Sequence, residues 1–444
     1  MKITRAKSST AGSILLVSLM LTLILGILLG SYLYLTQSEV LTVSRSQTWN
    51  SAMIAAEAGM EEGLSLINLY ANSGTPLSSW PGAAGANGWS SPQNNVYYLQ
   101  RNISSNLYYR IYITNLNNTP VIKSAGFAYF PRTGGYVSRA IMTGNQSGSF
   151  FLGAVLAKRK VDINGSAVFD SFNSADPNYS TAGQWDINKR KAGGNIGSIQ
   201  SNVVATVAGS GNAKVYGMLA TGPNSTISVQ GNASAGSIAW VDGKNKGVQS
   251  GWSRNDLNVS IPDAPPLPTA SYLSLPSPGN RVLNAFGGTI YYKATTAYQM
   301  NSKNYLLITN GTVVIDAQQG ISMNAQTTIQ IASNSKLILY LGTQNTQLNG
   351  QGLLNGSGNA TNCIIYGKNN CNQIEMNGGS TFIGYLYAPY ADITLNGNSD
   401  IIGAMVGDTF QINGNMDFHY DENLGGPQDG SSIYRTVYWH EVAP

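Results

Sequence analysis

Two aspartates near the end of the chain have the spacing of a paired carboxylate site. Asp400 and Asp417 each stand three residues after the glycine of an Asn-Gly pair. If the two segments are consecutive turns of a parallel β stack, the carboxylates lie on one face, about 4.8 Å apart. Such a pair could bind a cation or raise the pKa of one carboxyl group. The sequence favours the alternative of two solvated aspartates, because no third catalytic group is arranged with them.

The segment His419-Tyr420-Asp421 is the other candidate for acid–base chemistry. The chain has two histidines, His419 and His440, and neither stands in a Ser/His/Asp pattern or beside a phosphate-binding loop. We interpret His419 and Tyr420 as a structural cap over the last strand layer. The sequence therefore predicts no catalytic residue, no metal site and no cofactor, and a protein that is not an enzyme.

The chain has two cysteines, Cys363 and Cys371. A metal site would need further ligands nearby, and a nucleophilic cysteine would need a histidine partner. If the chain is exported, its compartment is oxidising, and we expect a local Cys363–Cys371 disulfide. The alternative is a pair of buried free thiols.

Basic residues are concentrated in two triples, Lys158-Arg159-Lys160 and Lys189-Arg190-Lys191. Basic patches attract phosphate, but these short triples have no aromatic stacking platform beside them. The net charge of the 444 residues is only +4, and charged residues make up 10 %. We interpret the triples as solvated loop charge, and the sequence argues against a nucleic-acid partner.

An alternating phrase that ends in a turn recurs along the chain from residue 161 onward. The segments Val161–Gly165, Ile227–Gly231, Ile374–Gly378, Ile393–Gly397 and Phe410–Gly414 share it. Their alternation buries one face of a strand, and a repeat of this length is typical of a β-solenoid. Asn-Gly would form the corners, where stacked asparagines could hydrogen-bond along the axis. The predicted corner residues are Asn164, Gly165, Asn377, Gly378, Asn396, Gly397, Asn413 and Gly414.

The elements before the repeat begin with an apolar segment. Ser13–Leu35 carries no charge and follows three cations, Lys2, Arg5 and Lys7. As a helix it spans about 35 Å, enough to cross a hydrocarbon core of about 30 Å. The preceding cations predict a cytoplasmic N-terminus and an external head.

The helix is predicted to continue without proline to residue 75. One stripe at helical spacing is large and apolar and includes Met53, Met60 and Leu64. A second stripe is small, and small residues allow close helix–helix approach, so it could face neighbouring subunits. We expect the large stripe to pack on a small antiparallel sheet in residues 76–148. The small stripe consists of Ala52, Ala55, Gly59 and Gly63.

This N-terminus resembles the PilX N-terminal family of type IV pilus minor-pilin-like proteins, through Ala11–Val17 and Ala55–Glu61. The resemblance implies cleavage by a prepilin peptidase between Gly12 and Ser13. Major pilins carry a glutamate at the fifth mature position, where this chain has Val17, which argues against a major filament subunit. Segments near Gly384–Pro389 and Phe418–Glu422 also look similar to a C-terminal domain of PilX-type envelope proteins.

The sequence thus predicts a mainly β protein with a long N-terminal helix, an antiparallel sheet and a right-handed parallel β-helix. We expect a single-pass, non-enzymatic minor-pilin-like subunit or assembly factor of the cytoplasmic membrane, with the membrane and other pilin-like subunits as partners. The alternative is an anchored polysaccharide-binding adhesin or a polysaccharide lyase or hydrolase. The predicted divisions are a leader (1–12), a helix (13–75), a sheet (76–148), a first solenoid part (149–253), a Pro-rich linker or strap (254–300), a second solenoid part (301–424) and a tail (425–444).

Overall fold

The computed structural model describes residues 10–72, 89, 96–115, 119–149, 153–203, 207–209, 211–257, 259, 261–324, 326–343, 346–349, 352–379, 381–425 and 432–443. The chain is mainly β and divides into two compact units. Unit 1 comprises residues 1–67, 76–146 and 436–444, and unit 2 comprises 68–75 and 147–435. The leader cations Lys2, Arg5 and Lys7 and most of the predicted loop at 76–94 lie outside the described residues.

The predicted long helix is confirmed as α1 (Thr10–Asn72). Its apolar half is rich in leucine, which has high helix propensity, and the helix contains no proline to interrupt it.

Unit 1 contains the antiparallel sheet that the sequence predicts. Its order is β1-β2-β3-β4-β31, so the last strand of the chain forms one edge. The sequence assigned this last segment to a tail, although Val437-Tyr438-Trp439 has strong β propensity. The strands are β1 (Tyr97–Ser104), β2 (Leu107–Thr114), β3 (Val121–Phe130), β4 (Gly135–Ser149) and β31 (Ser432–Val442).

Unit 2 is built from short strands that pair in parallel. The first group is β5 (Val155–Gly165), β6 (Val168–Phe172), β7 (Ile196–Ser198), β8 (Val207–Gly209), β9 (Lys214–Tyr216), β10 (Leu219–Ala220), β11 (Ile227–Val229), β12 (Ser234–Gly236), a short helix α2 (Ile238–Asp242), β13 (Gly247–Val248) and β14 (Ser253–Arg254). The second group is β15 (Leu273–Ser274), β16 (Arg281–Asn284), β17 (Thr289–Ala294), β18 (Tyr298–Met300), β19 (Tyr305–Thr309), β20 (Gly311–Ala317), β21 (Ile321–Met323), β22 (Thr328–Ile331), β23 (Ser335–Leu341), β24 (Thr346–Leu348), β25 (Leu353–Asn355), β26 (Cys363–Gly367), β27 (Gln373–Gly378), β28 (Phe382–Gly397), β29 (Asp400–Gly414) and β30 (Asp417–Asp421).

These strands form parallel ladders, which we call the stack. One ladder runs β15-β17-β20-β23-β26-β28-β29-β5-β7-β10-β14, and another runs β18-β21-β24-β27-β28-β29-β5-β8-β11. On the remaining side, β16-β19-β22-β25 form a separate four-stranded sheet, and β29-β30-β6-β9-β12 continue beyond it. The core between the ladders is filled by alternating Ile, Leu, Val and aromatic side chains.

Stack order differs from chain order. The first group does not form a separate solenoid part, because β5 pairs with β29 and β6 pairs with β30. We call the layer that contains β30 and the start of β5 the composite layer, since its strands come from opposite ends of unit 2. The two parts that the sequence predicted at 149–253 and 301–424 are therefore joined in one 22-stranded sheet.

The proline-rich segment lies along the stack as a strap, one of the two alternatives that the sequence left open. Leu257 donates its backbone N–H to Thr221 beside β10, and Tyr272 packs on Tyr291 of β17. Between these points the strap passes the intervening strands of one ladder in reverse order. The strap is shorter than the predicted range of 254–300, because β15 to β18 already belong to the stack.

Candidate functional site

The first half of α1 is the candidate membrane-spanning segment. Its large apolar side chains from Ile14 to Leu35 are 55–77 % exposed, and the helix is long and apolar enough to cross a membrane. The hydroxyls of Ser18 and Thr22 donate to Leu15 O and Leu19 O one turn earlier. These hydroxyl donors are therefore satisfied within the helix and need no water. Gly12 and Ser13 lie at the start of α1, and cleavage between them stays a prediction.

The small stripe of α1 packs inside unit 1. Ala52 and Ala55 are fully buried, and a Cβ on Gly59 would lie 2.4 Å from Ser124 Oγ on β3. A Cβ on Gly63 would lie 3.1 Å from Ile122 Cγ2 of the same strand. The expectation that this stripe faces other subunits is therefore wrong for these four residues. The sheet is centred on the small stripe, which lets β3 approach the helix backbone, and leaves Met53 and Leu64 only half-buried.

A charged cluster fastens the sheet to the second half of α1. Arg101 Nη2 lies 2.6 Å from Glu62 Oε1, and the Tyr109 hydroxyl donates to Glu62 Oε2 at 2.5 Å. Burial and the neighbouring Glu62 carboxylate raise the pKa of Tyr109 to about 12. The phenol therefore remains a hydrogen-bond donor at physiological pH.

The predicted Asn-Gly corners are aligned in one column. Asn377, Asn396, Asn413 and Asn164 are in register on successive strands. Asn396 Nδ2 donates to Asn377 Oδ1 at 2.6 Å, Asn413 to Asn396 at 2.8 Å, and Asn164 to Asn413 at 3.3 Å. The predicted asparagine ladder is confirmed, and it continues across the composite layer.

Asp400 and Asp417 are register partners on β29 and β30, as their spacing predicts. Burial raises the pKa of Asp417, and the Asp400 and Asp170 carboxylates raise it further against the opposing effect of His419. Among the described residues, no group of three or more His, Cys, Asp or Glu side chains could hold a metal ion. The ionised form of Asp417 is therefore less favourable in the folded chain than in the unfolded chain.

We expect Asp417→Asn to stabilise unit 2 at neutral pH and to have little effect near pH 3. The raised pKa means that the folded state holds the proton more tightly than the unfolded state. That contribution is fully present below the unfolded pKa of about 4 and is lost as pH rises through the folded pKa. Thermal melts at the two pH values measure the difference. Asp400→Asn, at an exposed position, removes only the smaller contribution of its carboxylate and should stabilise less. A wild-type melting temperature for Asp417→Asn at pH 7 would contradict the prediction.

His419 lies within the stack, so its predicted role as a cap over the last layer is wrong. β6 pairs with β30 on the side that the cap would have covered. His419 Nδ1 lies 2.6 Å from Asp170 Oδ1, both side chains are buried, and the imidazole stacks on Trp185 with ring centroids 3.8 Å apart. Trp185 belongs to the connection between β6 and β7, which covers this outer surface of the stack. No local sequence pattern indicates this contact, because β6 and β30 are about 250 residues apart in the chain.

The basic triples are engaged in ion pairs within unit 2. Arg159 Nη2 lies 2.6 Å from Asp408 Oδ2, and Lys160 Nζ lies 2.5 Å from Asp162 Oδ2. In the second triple, Arg190 pairs with Asp242 at 2.7 Å, and Lys191 pairs with Glu422. Two residues of each triple are therefore paired with neighbouring carboxylates, which neutralise much of their charge.

The two cysteines are buried free thiols, so the predicted disulfide is wrong. Cys363 begins β26, whereas Cys371 lies beside the end of that strand: a Cβ on Gly367 would be 3.4 Å from Cys371 Cβ. The four residue steps of strand between these points span about 13 Å, well beyond the Cα separation that a disulfide allows. Burial raises the pKa of both thiols to about 12.

Both thiols should resist modification in the native protein. At pH 8 the folded chain should react with no thiol reagent, because thiolate is the reactive form and both groups are protonated and inaccessible. Denatured, unreduced protein should take up two equivalents of alkylating reagent. If an unreduced, denatured sample showed no free thiol, Cys363 and Cys371 would be joined by a disulfide after all.

A buried tyrosine, Tyr387, and an exposed one, Tyr390, hold the strap. Tyr387 OH donates to the Pro262 carbonyl at 2.7 Å, and Tyr390 OH donates to Asp263 Oδ1 at 2.5 Å. The ammonium group of Lys158 lies 3.8 Å from the ring centroid of Tyr390. Carbonyls in an extended proline-rich segment have no hydrogen-bond donors within the segment itself. The hydroxyl of Tyr387 supplies such a donor to Pro262.

Comparisons with known proteins match parts of this description. The family model "Domain of unknown function (DUF7305)" matches residues 285–426, about a third of the chain, and ends just after β30. No curated protein matches. The solved structure of the competence-associated pilin ComZ from Thermus thermophilus is similar at 12 % identity and a TM-score of 0.28, with 89 % of this chain and 97 % of that chain covered. The PilX resemblance of the N-terminus stays a prediction.

Proposed function

We propose that this chain is a membrane-anchored, minor-pilin-like envelope protein without enzymatic activity. The observation that carries the proposal is the division of α1 into two halves. The half from Ile14 to Leu35 is apolar and exposed, whereas Ala52, Gly59 and Ile67 of the other half are buried against the sheet of unit 1. A single helix thus supplies both a membrane segment and the support for a folded head.

We further propose that the ladders of unit 2 wind as a right-handed β-solenoid. Their parallel register and their columns of stacked asparagines support this reading, and right-handed crossovers are the rule for parallel strands. In this proposal the solenoid is the surface that the helix presents outside the cell membrane. Two cavities within the stack have volumes of about 20 and 10 Å³. Neither has room for a sugar ring.

Membrane fractionation of cells that express the full chain tests the anchoring. Wild-type protein should stay in the membrane pellet after alkaline carbonate extraction, and protease added to spheroplasts should digest the head. The double substitution Leu21→Arg/Leu25→Arg should release the chain, because each arginine at a helix centre opposes insertion by roughly 2.5–3.5 kcal/mol. Ile54→Arg, at another exposed position of α1, is the matched control. Carbonate-soluble wild-type protein, or a fully protected head, would overturn the proposal.

Association with a pilus-like system is tested separately. If the chain is a minor subunit or assembly factor, it should copurify with sheared surface filaments or its deletion should reduce their number. N-terminal sequencing that finds Ser13 as the first residue would place it in the prepilin export route. If the chain is retained in the membrane but shows neither effect, the proposed membrane anchoring stands and the proposed pilus role is wrong.

A further inference from the structure

Unit 2 is inserted between two neighbouring strands of one sheet. β4 and β31 are adjacent in unit 1, yet roughly 280 residues separate the end of one from the start of the other. Contacts between the two strands include Arg139 with Glu441 at 2.6 Å and Thr436 Oγ1 with Asn145 Oδ1 at 3.1 Å. The sheet of unit 1 is therefore complete only when a distant part of the chain returns to it.

The composite layer holds the two ends of this insertion together. Val155, at the start of β5, is the register partner of Met405 on β29. Tyr420, near the end of β30, is the register partner of Gly403 on the same strand. Two residues along a strand are about 7 Å apart, so the closed layer fixes the entry and exit of unit 2 at nearly one point.

We propose that closure of the composite layer favours the docking of β31 on β4. The completeness of the sheet in unit 1 then depends on whether unit 2 is folded. When the layer is open, so that β5 no longer pairs with β29 and β6 no longer pairs with β30, β31 must close a loop of roughly 280 residues. When the layer is closed, about 17 residues outside it remain to be closed. Since the closure probability falls as about the 3/2 power of loop length, the docking equilibrium of β31 should change about 70-fold. The coupling is carried by chain connectivity, and it does not depend on the proposed membrane role.

Hydrogen exchange on the full chain, read by mass spectrometry, tests the proposal. Phe418→Ala removes a ring that is 1 % exposed and stacks on Phe169 across the composite layer. Leu306→Ala removes a side chain that is 0 % exposed in β19, near the far end of the stack. Both variants create a core cavity, but only the first lies at the composite layer.

The peptides to compare are those from β5 and β30, which report the layer, and residues 436–442, which report β31. Whenever Phe418→Ala loses protection in β30 and along the whole of β5, protection of 436–442 should fall about 70-fold in the same sample. In Leu306→Ala, loss of protection in β16 and β19 should leave 436–442 unchanged while the layer stays closed. The proposal would be overturned if residues 436–442 kept full protection while the composite layer was open. It would also be overturned if they lost protection while the layer was closed. A Phe418→Ala chain with unit 2 entirely unfolded still gives the decisive reading at 436–442.

Discussion

Replacing Gly126 with valine will unfold unit 1 and leave the stack of unit 2 intact. A Cβ at this position would lie 2.0 Å from Ala52 O and 2.5 Å from Ala56 N. Both are backbone atoms of α1, so no side-chain rotation can relieve the overlap. Overpacking of a core costs about 1–3 kcal/mol where neighbours can adjust, and a clash with helix backbone belongs at or beyond the upper end.

The matched control for this prediction is Gly135→Val. Gly135 begins β4 in the same sheet, and the nearest atom to a Cβ there is Thr133 Oγ1 at 4.0 Å. Hydrogen exchange of β3 and of the buried half of α1 should show lost protection in Gly126→Val alone. The prediction that a side chain at Gly126 overlaps α1 is wrong if both valine variants retain wild-type protection or lose protection equally.

The elements that the sequence predicts well are those with strong local signals. The uncharged run from Ser13 to Leu35 and the absence of proline specify α1, since helix formation depends on neighbouring residues. The five alternating phrases, four of which end in Asn-Gly, specify parallel strands with stacked corners, because each phrase carries its own inside-outside pattern and turn. The asparagine column from Asn377 to Asn164 follows from that repetition.

The features that the sequence does not reveal depend on pairings between distant segments. Nothing near Val161–Gly165 indicates that β5 follows β29 in the stack, because the repeat has the same form in either order. The small stripe of α1 has the same pattern whether a helix or a sheet covers it. The cysteine prediction failed for a related reason: seven intervening residues fit a tight turn, but β26 keeps Cys363 and Cys371 apart.

Replacing Gly414 with valine will open the stack where β29 packs on β28. Gly414 has φ of 110°, a region that side-chain-bearing residues rarely adopt, and a Cβ there would lie 2.3 Å from Gly397 O. The next glycine in the column, Gly165, would place its Cβ 2.2 Å from Gly414 O. The column is therefore glycine because each corner carbonyl fills the space that a side chain would occupy.

The expected loss combines backbone strain of about 1–3 kcal/mol with the steric overlap, so a total of about 3 kcal/mol or more is reasonable. For a unit of roughly 300 residues, 3 kcal/mol corresponds to a fall in melting temperature of about 5 °C. Gly379→Val is the control, since its nearest atom is Asn398 O at 3.9 Å and its φ is not in the left-handed region. Exchange protection in the second halves of β28 and β29 should fall first, because the overlap is with Gly397 O, and Gly397 of β28 pairs with Gly414 of β29. Equal melting temperatures for the two variants would show that the corner tolerates a side chain, and glycine at Gly414 would then have no steric role in the packing of β29 on β28.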